Sequence, residues 1–468
     1  MHKMTRPPGG RLKFNFKPLF KPKTMAVVGV SLTNDRHPAN VIFQKLLLRY
    51  PVTVFAVNPK GGRLQRETVY QDLTQLPEKI DHVVIAVRAE HVPAVIAQCI
   101  EAGAGSATII SGGFAESGRS DLQDQISRMA AEAAFPFVGP NCLGIYAPRQ
   151  FDTFFLPGER LVRPEAGNVA LISQSGGVLV DQLVKFAGQG IGLSAGVSIG
   201  NKALIRETDL LWYFARDAHT DVLAFYIEGF EPNEGRRFVL AAARCGKPVI
   251  VLKAGKSTSG VRAVASHTAS LAGDYAVFTQ IMAQHGIAEA KNEYELISFC
   301  EALSCFPQTI SGRVGIITVS GGHGALAVDA CLQHGLSVPT IAGQDQAFLR
   351  AKLSSSVRPI AALGNPIDLT GSATDDDFLA AANVLSTSKE VDALLILLLP
   401  YSPGISSDLG ARLGQVYRKK GKPLVAYVPH VEKYRILIEG FELNRVPVSN
   451  SIEGAVLMAE ALRRWQPC

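Results

Sequence analysis

The sequence predicts an α/β protein of three consecutive domains, each built on a mostly parallel sheet. Three observations carry this. Short apolar runs, many rich in Val and Ile and lacking polar alternation, recur along the chain, as in strands buried on both faces. Segments with helical spacing separate them. The 468 residues suffice for two to four ordinary domains, and 47% hydrophobic against 19% charged residues lets each domain bury a core.

In the first block strands are expected at 25–30, 52–57, 82–87, 106–110 and 136–138, with a helix over 89–102. The second block has strands at 168–172, 192–197, 221–226 and 248–252, with helices over 176–189 and 233–245. The third has strands at 313–318, 392–399 and 423–427, with helices over 323–335 and 406–419. Pro148, Pro307 and Ile310-Ser311-Gly312 punctuate the joints. These readings give a mobile basic tail over 1–19 and domains over 20–150, 151–310 and 311–468.

Composition removes several function classes. The net charge of +6 is a property of one end: the first 23 residues hold seven Lys or Arg and no acid, and the remainder carries −1. A nucleic-acid binder needs its basic face on the fold, so none is expected here. No apolar run nears the ~20 residues that span a bilayer. The seven cysteines form no Cys-x-x-Cys pair and no cluster with His at ligand spacing, which argues against a metal site and for a reducing cytoplasm.

Each block carries a strand, a turn of small residues and then a helix, the device that presents backbone N–H groups and a positive helix end to an anion. In block one, Ala26-Val27-Val28 runs into Gly29-Val30-Ser31. The glycine fingerprint of dinucleotide sites is absent, and the second strand ends in Asn58-Pro59-Lys60 where such sites want an acid. Lys60 suits a phosphate, or serves only as a turn lysine. Loops at Val87, at Ser111-Gly112-Gly113-Phe114 and at Gly139-Pro140-Asn141-Cys142 belong on the same sheet edge, where ligands of open parallel sheets lie.

In block two the turn is Ser173-Gln174-Ser175-Gly176-Gly177. Farther on, Ser266-His267-Thr268-Ala269-Ser270-Leu271-Ala272-Gly273 sets one histidine among small polar neighbours that leave room for a phosphoryl group. Neutral imidazole is nucleophilic near pH 7 and can split one hard transfer into two easier ones. Taken alone, a loop histidine more often caps a helix or faces water. In block three the device recurs at Ser320-Gly321-Gly322-His323, with further turns at Asn365-Pro366 and at Tyr401-Ser402-Pro403-Gly404.

Leu19-Phe20-Lys21-Pro22-Lys23, the Gly29–Ser31 turn, Asn58-Pro59-Lys60 and Gly139–Gly144 resemble the CoA-binding domain of the succinyl-CoA synthetase superfamily, in particular its ADP-forming acyl-CoA synthetase branch. The 266–273 segment resembles the phosphohistidine segment of the same enzymes, with Ala269 where Gly is usual. The resemblance covers residues 19–468 and implies three Rossmann-like or flavodoxin-like domains. It implies CoA binding by Gly29, Ser31, Lys60 and Ser111, Gly112, Gly113 and Phe114, with Val87 and Asn141 counted beside them. It implies catalysis by phospho-His267, oriented by Glu228. Phosphate would be held by Ser173, Gln174, Ser175, Gly176 and Gly177, and by a second helix start in the third domain, through Gly321 and Gly322 or the turn at Gly404. Arg206-Glu207-Thr208-Asp209 also follows the family pattern and is expected to shape packing.

The function implied is that of the α subunit of an acid–thiol ligase, which joins acid and CoA through an acyl phosphate. It needs an ATP-grasp β subunit, in an α2β2 assembly, to supply ADP or ATP and Mg2+. No metal site is expected on the chain itself. The alternative is a CoA-binding or regulatory protein of the same fold without catalysis. A nicotinamide enzyme is disfavoured by Lys60 and the missing glycines, and a lysine acetyltransferase by the lack of an acetyltransferase block.

Overall fold

The computed structural model describes residues 14–265, 274–429 and 432–465. The chain divides into two compact units between Lys291 and Asn292.

The first unit holds two seven-stranded sheets. Strands β1 (Thr24–Val28), β2 (Thr53–Val57), β3 (Gly62–Leu64), β4 (Glu67–Tyr70), β5 (His82–Ile85), β6 (Ser106–Ile109) and β7 (Phe137–Val138) form the first, in the order β3-β4-β2-β1-β5-β6-β7. All pairs are parallel except β3 with β4. Strand order reverses between β1 and β5, so the turns that leave them part and open a crevice at their carboxyl ends.

The second sheet comprises β8 (Gly144–Ala147), β9 (Phe151–Asp152), β10 (Ala166–Ser173), β11 (Leu193–Ser198), β12 (Val222–Ile227), β13 (Val249–Lys253) and β14 (Ala288–Ala290), in the order β14-β13-β12-β10-β11-β8-β9. Its reversal falls between β10 and β12, which pair in parallel from Val169–Val222 to Ser173–Tyr226. One apolar core, from Phe43 and Leu46 to Phe151, Leu210 and Phe225, joins the helix Pro38–Arg49 of the first sheet to the second sheet. Within it Asp152 binds Lys45 at 3.0 Å and Arg163 at 2.6 Å. Burial holds the Lys45 ammonium down to about 8 against the opposing pull of Asp152.

The second unit carries an all-parallel sheet of β15 (Val314–Thr318), β16 (Ile367–Asp368), β17 (Ala393–Leu397), β18 (Leu424–Tyr427) and β19 (Val448–Ser449), ordered β16-β15-β17-β18-β19. Three mostly parallel sheets are thus present, as the apolar runs predict.

Three boundaries differ from those read off the sequence. Residues 14–19 are not a loose arm: Phe14, Phe16 and Leu19 are buried, and Phe16 and Phe20 pack on Tyr213. The rest of the expected tail lies outside the described residues. Strand β8, assigned to the first domain, pairs antiparallel with β11 and so extends the second sheet. The helix Glu293–Cys305, assigned to the second domain, belongs to the second unit and packs on the helix Ile452–Arg464.

Candidate active site

A cleft of about 880 Å³ opens in the first unit where the β10 and β12 turns separate. Asn141, Gln174, Ser175, Gly176, Gly177 and Glu228 line it together with Phe155, Leu156, Val180 and Tyr226. Six residues singled out in the sequence therefore meet in one cavity. Ala263 and Val264, on the helix Thr258–Ala265, line it too. His267 itself lies outside the described residues. In the sequence it follows Val264 by three positions.

The helix Gly176–Gly188 starts at this cleft. Ser175 caps it, its hydroxyl accepting from the Val178 N–H at 3.3 Å. Ser173 shapes the turn by donating its hydroxyl to the Ser175 carbonyl at 2.7 Å. The first-turn N–H groups of a helix have no partner within it, and the helix dipole adds partial positive charge there. An anion in the cleft would find both.

Gln174 has a different part from the one expected of it. Its Oε1 accepts from the N–H groups of Glu228 at 2.6 Å and Gly229 at 3.1 Å. Its Nε2 donates to the Gly229 carbonyl at 2.8 Å and to Glu207. Both amide donors are used, so the side chain braces the β12 turn instead of holding phosphate. Glu207 in turn accepts from Lys202 at 2.9 Å, and both are buried. Glu207 thus ties Gln174 to Lys202.

Glu228 follows the last residue of β12 and is 8% exposed, at the cleft wall. Lys253, at the end of β13, is buried beneath it and donates to the Glu228 carbonyl at 2.6 Å. Burial lowers the Lys253 ammonium to about 8; Glu228 opposes that shift, while Lys202 and Lys256 reinforce it. The sequence reading gave Lys253 no role. The available signal was a lysine ending a run of otherwise apolar strand residues, Val249-Ile250-Val251-Leu252.

Of the residues expected to take CoA, Asn141 lines the cleft, and the others lie at the carboxyl edge of the first sheet, outside the cleft lining. Gly29 turns at φ +104°, and a Cβ there would lie 2.5 Å from the Ala86 carbonyl oxygen. Ser31 is engaged locally: its N–H donates to Asn40 Oδ1 at 2.6 Å, and its hydroxyl accepts from Asn34 N–H at 3.0 Å. Lys60 is exposed and Val87 half-buried. In the 111–114 loop the N–H groups of Gly113 and Phe114 already donate to Glu116, at 2.6 and 3.1 Å. Those two donors are held by the protein's own carboxylate, which the sequence reading did not anticipate. The Ser111 carbonyl accepts from the Asn141 N–H at 2.8 Å, which fixes the loop to the cleft rim.

In the second unit Gly321 and Gly322 begin the helix Gly321–Gln333. His323 Nδ1 contacts the Ser320 hydroxyl at 3.0 Å within the same turn. Gly404 lies in the turn before the helix Leu409–Lys420, and its carbonyl accepts from the Asp375 N–H at 3.1 Å. Among the described residues no group of three or more His, Cys, Asp or Glu could hold a metal ion, and no helix is long and apolar enough to cross a membrane.

Fold and cleft define a protein of the CoA-ligase class. Residues 23–148 match the CoA binding domain, residues 166–303 the succinyl-CoA ligase like flavodoxin domain, and residues 314–437 the ligase-CoA domain. The chain is 32% identical over 458 residues to the acetate–CoA ligase (ADP-forming) I subunit alpha of Pyrococcus furiosus, covering 96% of this chain and 97% of that one. It is 37% identical over 387 residues to the acetate–CoA ligase (ADP-forming) I of Archaeoglobus fulgidus, covering 82% of this chain but only 54% of that protein. The dinucleotide-forming acetyl-coenzyme A synthetase 1 of Ca. Korarchaeum cryptofilum, solved with phosphate and ADP, superposes with a TM-score of 0.86 at 30% identity, covering 96% of each chain. The chain belongs to the family of ADP-forming acyl-CoA ligases and corresponds in extent to their alpha subunit.

Proposed function

We propose that this chain is the CoA-binding, phosphohistidine-carrying subunit of an NDP-forming acyl-CoA synthetase, with His267 as the catalytic residue and Glu228 as its orienting partner. One observation carries the reading: the helix start at Ser175–Gly177, Glu228 and the helix Thr258–Ala265, which precedes His267 in the sequence, border a single cleft.

In the direction that forms the acid, a phosphate oxygen attacks the thioester carbonyl. The C–S bond breaks and CoA leaves as the thiol after taking a proton. His267 then attacks phosphorus, the P–O bond to the acyl group breaks, and the carboxylate departs. Phospho-His267 passes the phosphoryl group to ADP. The N–H groups at Gly176 and Gly177 and the helix end hold the phosphoryl oxygens during transfer, a form of electrostatic stabilisation that positioned donors supply without reorganising. A carboxylate on the far nitrogen of an imidazole fixes its tautomer and stabilises the cation that forms, which is the part assigned to Glu228.

CoA is assigned to the first sheet's edge, at Gly29, Ser31, Lys60, Val87, Ser111, Gly112 and Asn141. Gly321, Gly322 and Gly404 are assigned an anion within the second unit. An ATP-grasp β subunit, as α2β2, would bring the nucleotide and its Mg2+. The six described cysteines are free thiols, which suits the cytoplasm.

The test is reconstitution with an ATP-grasp β subunit of the same family. Acid-dependent and CoA-dependent ADP release across a panel of carboxylic acids supports the reading and names the acyl group. CoA binding without turnover for any acid would leave only a CoA-binding protein.

A further inference from the structure

Glu116 sits between the two working parts of the first unit. Its Oε1 takes the N–H groups of Gly113 and Phe114 at 2.6 and 3.1 Å. Its Oε2 accepts from Asn201 Nδ2. That same amide nitrogen donates to Gln123 Oε1 at 3.0 Å, and Asn201 Oδ1 accepts from Asn141 Nδ2 at 3.3 Å. Asn141 returns to the loop through its own N–H, which donates to the Ser111 carbonyl at 2.8 Å. The bonds close a ring through the 111–114 loop, Glu116, Asn201 and Asn141. Two of its members, Asn141 and Asn201, line the cleft.

The ring has one polarity. Glu116 can only accept when ionised, and three N–H donors converge on it. Burial alone would raise its pKa, but the bonds from Asn201, Gly113 and Phe114 outweigh burial and hold it below the ordinary carboxylate value. A carboxylate that receives backbone N–H groups binds them more strongly than a neutral acceptor does. The loop is thereby set before a ligand arrives, and a site ordered in advance loses less entropy on binding.

We propose that Glu116 is a positioning residue for CoA: it fixes the 111–114 loop to Asn201 and so sets how CoA is held at the mouth of the phosphoryl-transfer cleft. This rests on the CoA-binding reading above. Nothing in the reaction passes through Glu116 itself.

Polarity gives the test. In Glu116→Gln the new amide can still accept from Gly113 and Phe114, but its NH2 then faces the NH2 of Asn201. In Asn201→Asp a second carboxylate faces Glu116. The double variant restores the bond with donor and acceptor exchanged. CoA affinity of the full chain is measured by titration calorimetry, with the melting temperature as a check on folding. Each single variant is expected to bind CoA about tenfold more weakly, and the double variant to come within about threefold of the wild type. A role confined to folding would shift the melting temperature and leave the affinity of the folded protein unchanged. Glu116→Gln binding CoA as the wild type does, or a double variant no better than either single one, overturns the proposal. If Glu116→Gln does not fold, Asn201→Asp against the double variant decides it. A wild-type chain that binds no CoA sinks the functional reading first and this one with it.

Discussion

The side-chain amide of Gln174 grips the backbone of Glu228: Oε1 accepts its N–H at 2.6 Å, while Nε2 holds the next carbonyl, that of Gly229, at 2.8 Å. The orienting carboxylate assigned to His267 therefore stands on a turn that a residue of the neighbouring strand's turn defines. Gln174→Leu keeps the volume and deletes four hydrogen bonds in a buried setting. It should destabilise the first unit by about 2–5 kcal/mol, because the partners stay buried without their donors and acceptors. It should also suppress phosphoryl transfer in whatever protein remains folded. Chemical denaturation and single-turnover phosphorylation check the two halves.

Gly29→Ala tests the first-sheet turn. At φ +104° an L residue is strained, and the added Cβ would stand 2.5 Å from backbone at Ala86. The two Ala86 atoms it meets are backbone, which cannot give way as a flexible side chain can, and Val87 Cγ1 lies 2.9 Å away as well. A loss of about 2–4 kcal/mol is expected, with weaker CoA binding, read from the unfolding midpoint and from calorimetry.

Glu301 is a buried carboxyl in the second unit that accepts the Val448 N–H at 2.9 Å. Burial raises it to about 8 from an ordinary 4.5. The folded state thus keeps a proton that the unfolded chain releases. Stability falls as pH rises between about 5 and 8. Glu301→Gln keeps the acceptor and removes the titration. Its melting temperature should exceed that of the wild type by roughly 4 °C or more at pH 8 and match it within about 1 °C at pH 4. Equal melting curves at both values would show that Glu301 does not titrate in this window.

His334 lies between Glu460, at 2.7 Å, and Glu453, both on the helix Ile452–Arg464. Burial alone would depress the ring, but the two carboxylates outweigh it and raise its pKa above 6.5. Its contribution is full below pH 6.5 and is lost as pH rises through the folded value. The deficit of His334→Gln against the wild type should be largest near pH 6 and shrink by pH 9, as thermal melts at both values would record.

The central strands of the three sheets were legible because they are continuous apolar runs, as in Val249-Ile250-Val251-Leu252. The sheet edges were not, for want of length. Strands β3 and β4 form a short polar-sided hairpin, Gly62–Leu64 with Glu67–Tyr70, and β16 and β19 are two residues each. Such edges carry too few residues to show a period. Strand β8 is apolar, but nothing in Gly144-Ile145-Tyr146-Ala147 says which sheet it joins. At the cleft, Glu228 and the Ser173–Gly177 turn were legible as residue types in place. Their supports were not, because Lys253 reaches Glu228, and Glu207 reaches Gln174, across 25 and 33 residues of chain. The role of Glu116 was hidden for the same reason: Asn201 is 85 residues away.

The central claim is tested most directly by labelling the purified chain with radioactive phosphate in the presence of a panel of acyl-CoAs, beside a His267→Asn variant. The account predicts an acid-labile, base-stable label that requires an acyl-CoA and is absent from the variant. A label that persists in His267→Asn, or a wild-type chain that binds CoA and takes no label from any acyl-CoA even with an ATP-grasp subunit present, would contradict it.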